Sequence, residues 1–209
     1  MYSNTTGIKN TAMGLEALGP NTTGNYNTAV GMLALNYNTT GNSNTASGYR
    51  ALKQNTTGVK NTAVGAYALN DNTTGCHNTA SGNYALYNNT TGDHNVAVGY
   101  KALCKATTAD MNVAIGACVL PNTTTGHSNV GIGYNTLCGN ISGICNVAIG
   151  KYALYANEAN YNTAVGVTAL MFNTTGQFST AVGFCALESN TTGTNVGIGA
   201  YALTNNTTG

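Results

Sequence analysis

The chain has 209 residues, of which only 6% are charged, and a formal net charge of +1. A balance this even, without a basic run, leaves nothing to neutralise a phosphate backbone, so nucleic acid is excluded as a partner. No apolar stretch approaches the roughly 20 residues of a membrane span, so membrane insertion is not expected. No leader segment is apparent in the opening residues.

The first element is Asn10-Thr11-Ala12-Met13-Gly14, and it returns along the whole chain. With Asn10 as position 1 of a unit, the same position falls at Asn27, Asn44, Asn61, Asn78, Asn95, Asn112, Asn129 and Asn146, always 17 residues apart. It continues at Asn162, Ser179 and Asn195 with spacings of 16, 17 and 16, which makes twelve copies. Position 5 is glycine in every copy, from Gly14 to Gly199. Position 9 is leucine in every copy: Leu18, Leu35, Leu52, Leu69, Leu86, Leu103, Leu120, Leu137, Leu154, Leu170, Leu187 and Leu203. A short fixed period of this kind is the signature of a solenoid. Abundant Asn, Thr and Gly at low charge could mean disorder, but a disordered tract need not keep an apolar residue in every copy.

Within a unit, positions 2 to 4 (Thr62-Ala63-Val64) read as a three-residue strand. Positions 2 and 4 share one face, and the small residue at position 3 takes the other. The leucine column and the Val/Ile/Met column at position 4 (Met13, Val30, Val64, Val98, Ile115, Ile149) are expected to form the core. Glycine at position 5 allows a corner. Positions 7 to 9 (Tyr67-Ala68-Leu69) read as a second short strand that sends leucine inward. Asn-Thr-Thr-Gly at positions 12 to 15 reads as a turn with glycine in the left-handed region. Where that glycine is missing, the ninth copy offers Asn160, a residue tolerant of that conformation. Ala109 in the sixth copy has no explanation at this level.

The fold expected is therefore all-β: residues 1–209 form a single parallel β-solenoid (β-roll) of about twelve 17-residue coils. With coils about 4.8 Å apart, the rod is roughly 55–60 Å long. Asparagines at positions 1 and 12 are placed to form amide ladders. The array begins in phase, with Met1 at the leucine position, and ends in phase at Gly209, with no atypical cap. That is expected of a segment of a longer array, or of units that stack end to end into a filament.

Little in the sequence carries chemistry. Asn4, Asn21, Asn38, Asn55, Asn72, Asn89, Asn122, Asn173, Asn190 and Asn206 begin Asn-Thr-Thr, and Asn140 begins Asn-Ile-Ser. Each is formally an N-glycosylation acceptor, set against the plainer reading of a turn and an Asn/Thr ladder. The six cysteines, Cys76, Cys104, Cys118, Cys138, Cys145 and Cys185, have no zinc-type spacing and are expected as free thiols. His77 and His94 share a column beside Asp93, but two ligands do not make a metal site. Glu16, Glu158, Glu188, Asp71, Asp93 and Asp110 form no pair suited to acid–base work, and no nucleophile motif or phosphate loop appears. No enzyme and no cofactor are expected. Position 2 mixes Thr62 and Thr79 with Val96 and Val113 and is expected to share the core face, which leaves ice binding a minor alternative. Tyr26, Tyr49, Tyr67, Tyr84, Tyr100, Tyr152 and Tyr201 lie at variable positions, where a partner, a surface glycan or a sister chain would be met.

Asn112–Gly116 and Asn146–Gly150 both read Asn-Val-Ala-Ile-Gly, with Thr-Ala-Val-Gly variants elsewhere. This segment resembles the head repeat of YadA-type trimeric autotransporter adhesins, and the wider array is similar to repeats of phage tail fibres. The resemblance implies a left-handed β-roll, often trimeric, working as a rigid extracellular adhesive or spacer. The unit is longer than the adhesin repeat, and no coiled-coil stalk or anchor is seen. The function expected is a non-enzymatic building block of an extracellular fibre or filament, self-associating head to tail or as a homotrimer. The alternative is an adhesin or tail-fibre segment that binds a host surface. A trimer should carry an apolar column along the outside of the rod, whereas a filament needs only its ends. A narrow coil buries little, which favours some lateral association in either case.

Overall fold

The computed structural model describes residues 3–209, so the Met1 expectation lies outside the described residues. Each repeat contributes one three-residue strand, from Thr11–Met13 to Val196–Ile198. The twelve strands form one parallel sheet in sequence order. Like pairs with like across it: Thr28 meets Thr45, Ala29 meets Ala46 and Val30 meets Ser47. The chain is thus a parallel β-solenoid of about 17 residues per coil.

The strand faces the other way from the sequence expectation. The small residue at position 3 points inward, and Ala29, Ala46, Ala63, Ala80 and Ala97 are fully buried. The position-4 column points out, with Val64 at 44% and Ile115 at 39% exposure. Its residues are therefore not core. The interior holds Ala at position 3, Ala at position 8 and Leu at position 9, and the leucines from Leu18 to Leu187 are fully buried. The bore explains the reversal. Gly131 and Gly197 replace Ala at position 3, and a Cβ there would sit 2.6 Å from Val119 Cγ1 or 2.9 Å from Leu187 Cγ. At most one side-chain carbon fits at position 3 opposite the leucine column.

Positions 7 to 9 are a corner, not a second strand. Position 7 is left-handed in every coil (Glu16 φ 55°, Tyr67 φ 61°), as is every leucine at position 9 (φ 49° to 53°). Left-handed backbone costs roughly 1–2 kcal/mol per non-glycine residue. Stacking offsets it: Leu33 N–H donates to Leu15 O at 2.9 Å, and Leu35 N–H to Ala51 O at 3.0 Å. A single coil has neither partner, so the conformation belongs to the stack.

The two glycine columns have different causes. Position 5 is left-handed (φ 119° to 144°), and a Cβ on Gly31 would lie 2.7 Å from Gly48 O. Position 15 is left-handed, as expected, only at Gly193 (φ 87°) and Gly209 (φ 98°); from Gly24 to Gly176 it lies outside that region. There a Cβ would collide with the Oδ1 of the asparagine three residues earlier, and on Gly24 would lie 2.5 Å from Gly41 O. The sixth coil has Ala106 where ten other coils have that asparagine, so at Ala109 the side-chain half of the collision is gone and only the carbonyl of the next coil remains to be accommodated. In the ninth coil it is Ala159, not Asn160, that takes the glycine place, because the turn is one residue shorter. Ala159 O accepts from Asn146 Nδ2 at 2.8 Å, as Gly41 O does from Asn27 Nδ2. Asn160 Oδ1 accepts from Ile144 N–H at 2.8 Å, as Asn25 Oδ1 does from Ile8 N–H.

Candidate interaction surfaces

The two asparagine columns are interior spines. At position 1, Asn44 N–H donates to Asn27 Oδ1 at 2.9 Å, and Asn44 Nδ2 donates to Gly58 O at 2.8 Å. At position 12, Asn55 Nδ2 donates to Asn38 Oδ1 at 2.8 Å and to the same Gly58 O at 3.1 Å. Both spines therefore converge on one carbonyl per coil. Asn21, Asn38, Asn55, Asn72, Asn89, Asn140, Asn173 and Asn190 are fully buried, each with its Nδ2 already donating. A glycan attaches at that nitrogen, and the folded coil has no room for it. Among the expected acceptors, Asn4 is exposed, and Asn122 and Asn206 are half-buried. Asn122 lies one position early in its coil, where its Nδ2 donates to Cys138 O at 2.9 Å. Leu203, in the last coil described, is 51% exposed, unlike the other eleven leucines.

Removing position 4 from the core creates a surface. The outward face of the sheet carries two columns, Thr or Val at position 2 and mostly Val or Ile at position 4, with no charged residue. Ten of the twelve position-4 residues are aliphatic or Met; the others are Ser47 and Ser81. In four adjacent coils both columns are aliphatic: Val96 and Val98, Val113 and Ile115, Val130 and Ile132, Val147 and Ile149.

A second surface runs along the corner at positions 6, 7, 10 and 11. Tyr49 and Tyr67 rings lie 5.1 Å apart, Tyr67 and Tyr84 stack at 4.9 Å, and Tyr84 and Tyr87 lie 5.3 Å apart. Further along are Tyr134, Tyr152 and Tyr155, with ring separations of 5.9 and 5.5 Å. Cations sit over these rings: Arg50 over Tyr49 and Tyr67, Lys101 over Tyr100, and Lys151 over Tyr152. Desolvation, then the hydrogen bond with Tyr49, raises the Tyr67 hydroxyl above its ordinary value. The hydrogen bond to the Tyr100 hydroxyl holds the Lys101 ammonium above the usual lysine value. Tyr49, Tyr67, Tyr84, Tyr100 and Tyr152 stand at variable positions of the repeat, and only the folded coil brings positions 6, 7 and 10 together on one edge.

All six cysteines are free thiols. Burial pushes the Cys104 and Cys138 thiols up, away from thiolate reactivity. His77 and His94 stack face to face at 4.8 Å on the exposed position-17 column. Among the described residues no group of three or more His, Cys, Asp or Glu is placed to hold a metal ion, and no pocket forms. No helix among the described residues is long and apolar enough to cross a membrane. No protein-family model, curated protein or solved structure matches the chain.

Proposed function

We propose that this chain is a non-enzymatic structural rod that assembles with copies of itself side by side, as a building block of a fibre. The observation that carries the reading is the uncharged, aliphatic outward face of the sheet. Twelve coils at about 4.8 Å give a face roughly 53 Å long. At a width of about 10 Å it offers roughly 500 Å² of uncharged surface per copy, of which the four doubly aliphatic coils make up about a third. A second copy fits it for a specific reason: its coils repeat at the same pitch, so the columns of two rods mesh over their whole length. One such contact is smaller than the roughly 800 Å² per partner of a standard interface. Reaching that area takes surface beside the sheet face as well. The extracellular setting rests on the resemblance of the repeat to adhesin and tail-fibre arrays.

The same face favours a second reading. In the first five coils position 2 is Thr throughout (Thr11, Thr28, Thr45, Thr62, Thr79), and it lies outward beside the position-4 column. A regular outward threonine column is one half of the Thr-x-Thr face that the ice-binding reading calls for, and a thermal-hysteresis assay tests it.

Sedimentation velocity of the wild type against Val98→Lys/Ile115→Lys tests the assembly reading. The wild type should sediment as a multimer and the variant as a single chain with unchanged circular dichroism. A wild type that stays a single chain at the highest soluble concentration sinks the reading.

A further inference from the structure

Five of the seven Lys and Arg residues of the chain lie along the tyrosine-bearing corner, and they are spaced regularly. Arg50 and Lys53 belong to the third coil, Lys101 and Lys105 to the sixth, and Lys151 to the ninth. Three coils are about 14 Å, so the edge presents cations in three groups over roughly 29 Å. Between them stand Tyr67, Tyr84, Tyr87, Tyr100 and Tyr134. Asp71 is the one carboxylate on the same edge in these coils; Asp93, Asp110 and Glu158 lie at positions 13 and 16 instead. The edge is thus basic and aromatic on a chain that is nearly neutral as a whole.

We infer that this edge is a binding face for an acidic polysaccharide, a linear sugar polymer whose carboxylates or sulfates are widely spaced. Three observations select that partner. The cations are too sparse for a nucleic acid, whose single strand carries a charge about every 3.4 Å. An extended peptide would need free backbone groups for strand addition. Here Tyr67 N–H donates to Tyr49 O at 2.9 Å, Tyr84 N–H to Ala66 O at 3.1 Å and Lys101 N–H to Asn83 O at 3.1 Å, so the corner backbone is taken up by the stack. What remains is side-chain chemistry: ring surfaces with hydroxyl tips, the exposed amide of Asn83, and cations held in place by the rings. Tyrosine supplies an apolar body for the sugar ring and a polar tip for its hydroxyls. Arg50 and Lys101, resting on rings, lose less freedom on binding than cations free in solvent.

The inference stands apart from the assembly of the sheet face, so Val98→Lys/Ile115→Lys should still bind. The test uses the whole chain and three probes: hyaluronan oligosaccharides, uncharged dextran of equal length and single-stranded oligothymidylate. Hyaluronan should bind at low salt and be released at high salt, while dextran is not held and oligothymidylate binds more weakly. Lys101→Gln/Lys105→Gln keeps most of the alkyl stems and should weaken hyaluronan binding roughly five- to tenfold. Tyr67→Ser/Tyr84→Ser should weaken it as well. Lys9→Gln/Lys60→Gln changes two cations at position 17 and should leave it unaltered. Equal retention of dextran, tighter binding of oligothymidylate, or an equal loss with the position-17 pair would each overturn the inference.

Discussion

Coils two to five and coils six to eight are built to one plan but are held differently. In the first group both asparagine spines run unbroken, and in coils two to four Thr-Thr-Gly closes each turn on one oxygen. Thr56 O, for example, accepts from Thr39 N–H, Thr40 N–H, Gly41 N–H and Thr39 Oγ1 at 3.0 to 3.3 Å. In the second group the position-12 spine stops, with Ala106 and then Thr123 in place of asparagine. Asn89 Oδ1, the last oxygen before the gap, is buried without a partner. Thr123 repairs part of the loss by donating from Oγ1 to Asn140 O at 2.7 Å. The position-1 spine continues: Asn112 N–H donates to Asn95 Oδ1 and Asn129 N–H to Asn112 Oδ1, both at 3.0 Å. The comparison teaches that two substitutions in these coils are each matched by a second. Ala106 makes room for Ala109, and the larger Val119 faces the missing methyl of Gly131.

The largest expected effect strikes the continuous spine. Asn78→Ala removes the donor to Gly92 O and the acceptor of Asn95 N–H, leaving a buried N–H unpaired. It should cost about 3 kcal/mol in urea denaturation. Gly131→Ala drives a methyl against Val119 and should cost about 2 kcal/mol, recovered when Val119→Ala is added. Ala106→Asn alone should destabilise by about 1 kcal/mol, because its oxygen meets the Ala109 methyl. With Ala109→Gly, itself expected to be near neutral, it should restore the spine, partner Asn89 Oδ1 and stabilise by about 1 kcal/mol, so the double-mutant cycle reads a coupling of about 2 kcal/mol. The smallest effect is Lys101→Gln, expected to move stability by less than about 0.5 kcal/mol because the side chain is exposed.

The period, the strand at positions 2 to 4, the inward leucine and the amide ladders were all legible in the sequence. The direction of the strand was not, because hydrophobicity pointed to Val64 and Ile115. The better signal was restriction: position 3 never exceeds alanine, whereas position 4 ranges from Ser47 to Met13. Tight packing limits size, and an open surface does not. The corner at positions 7 to 9 was hidden because Leu69 at φ 50° opposes its own preference, and only the neighbouring coils hold it there. The Asn-Thr-Thr motif could not be placed inside or outside, since an interior amide ladder and a surface glycosylation acceptor share the same letters. The Ala106–Ala109 pair was readable in principle, as the one coil in which both Asn and Gly of the turn become Ala.

Small-angle X-ray scattering tests side-by-side assembly most directly, because it separates the cross-section of a rod from its length. The account predicts a cross-section larger than a single coil stack at a length near 53 Å, falling to that of one stack in Val98→Lys/Ile115→Lys. A particle that lengthens with concentration at the cross-section of one stack would contradict it and point to end-to-end growth instead.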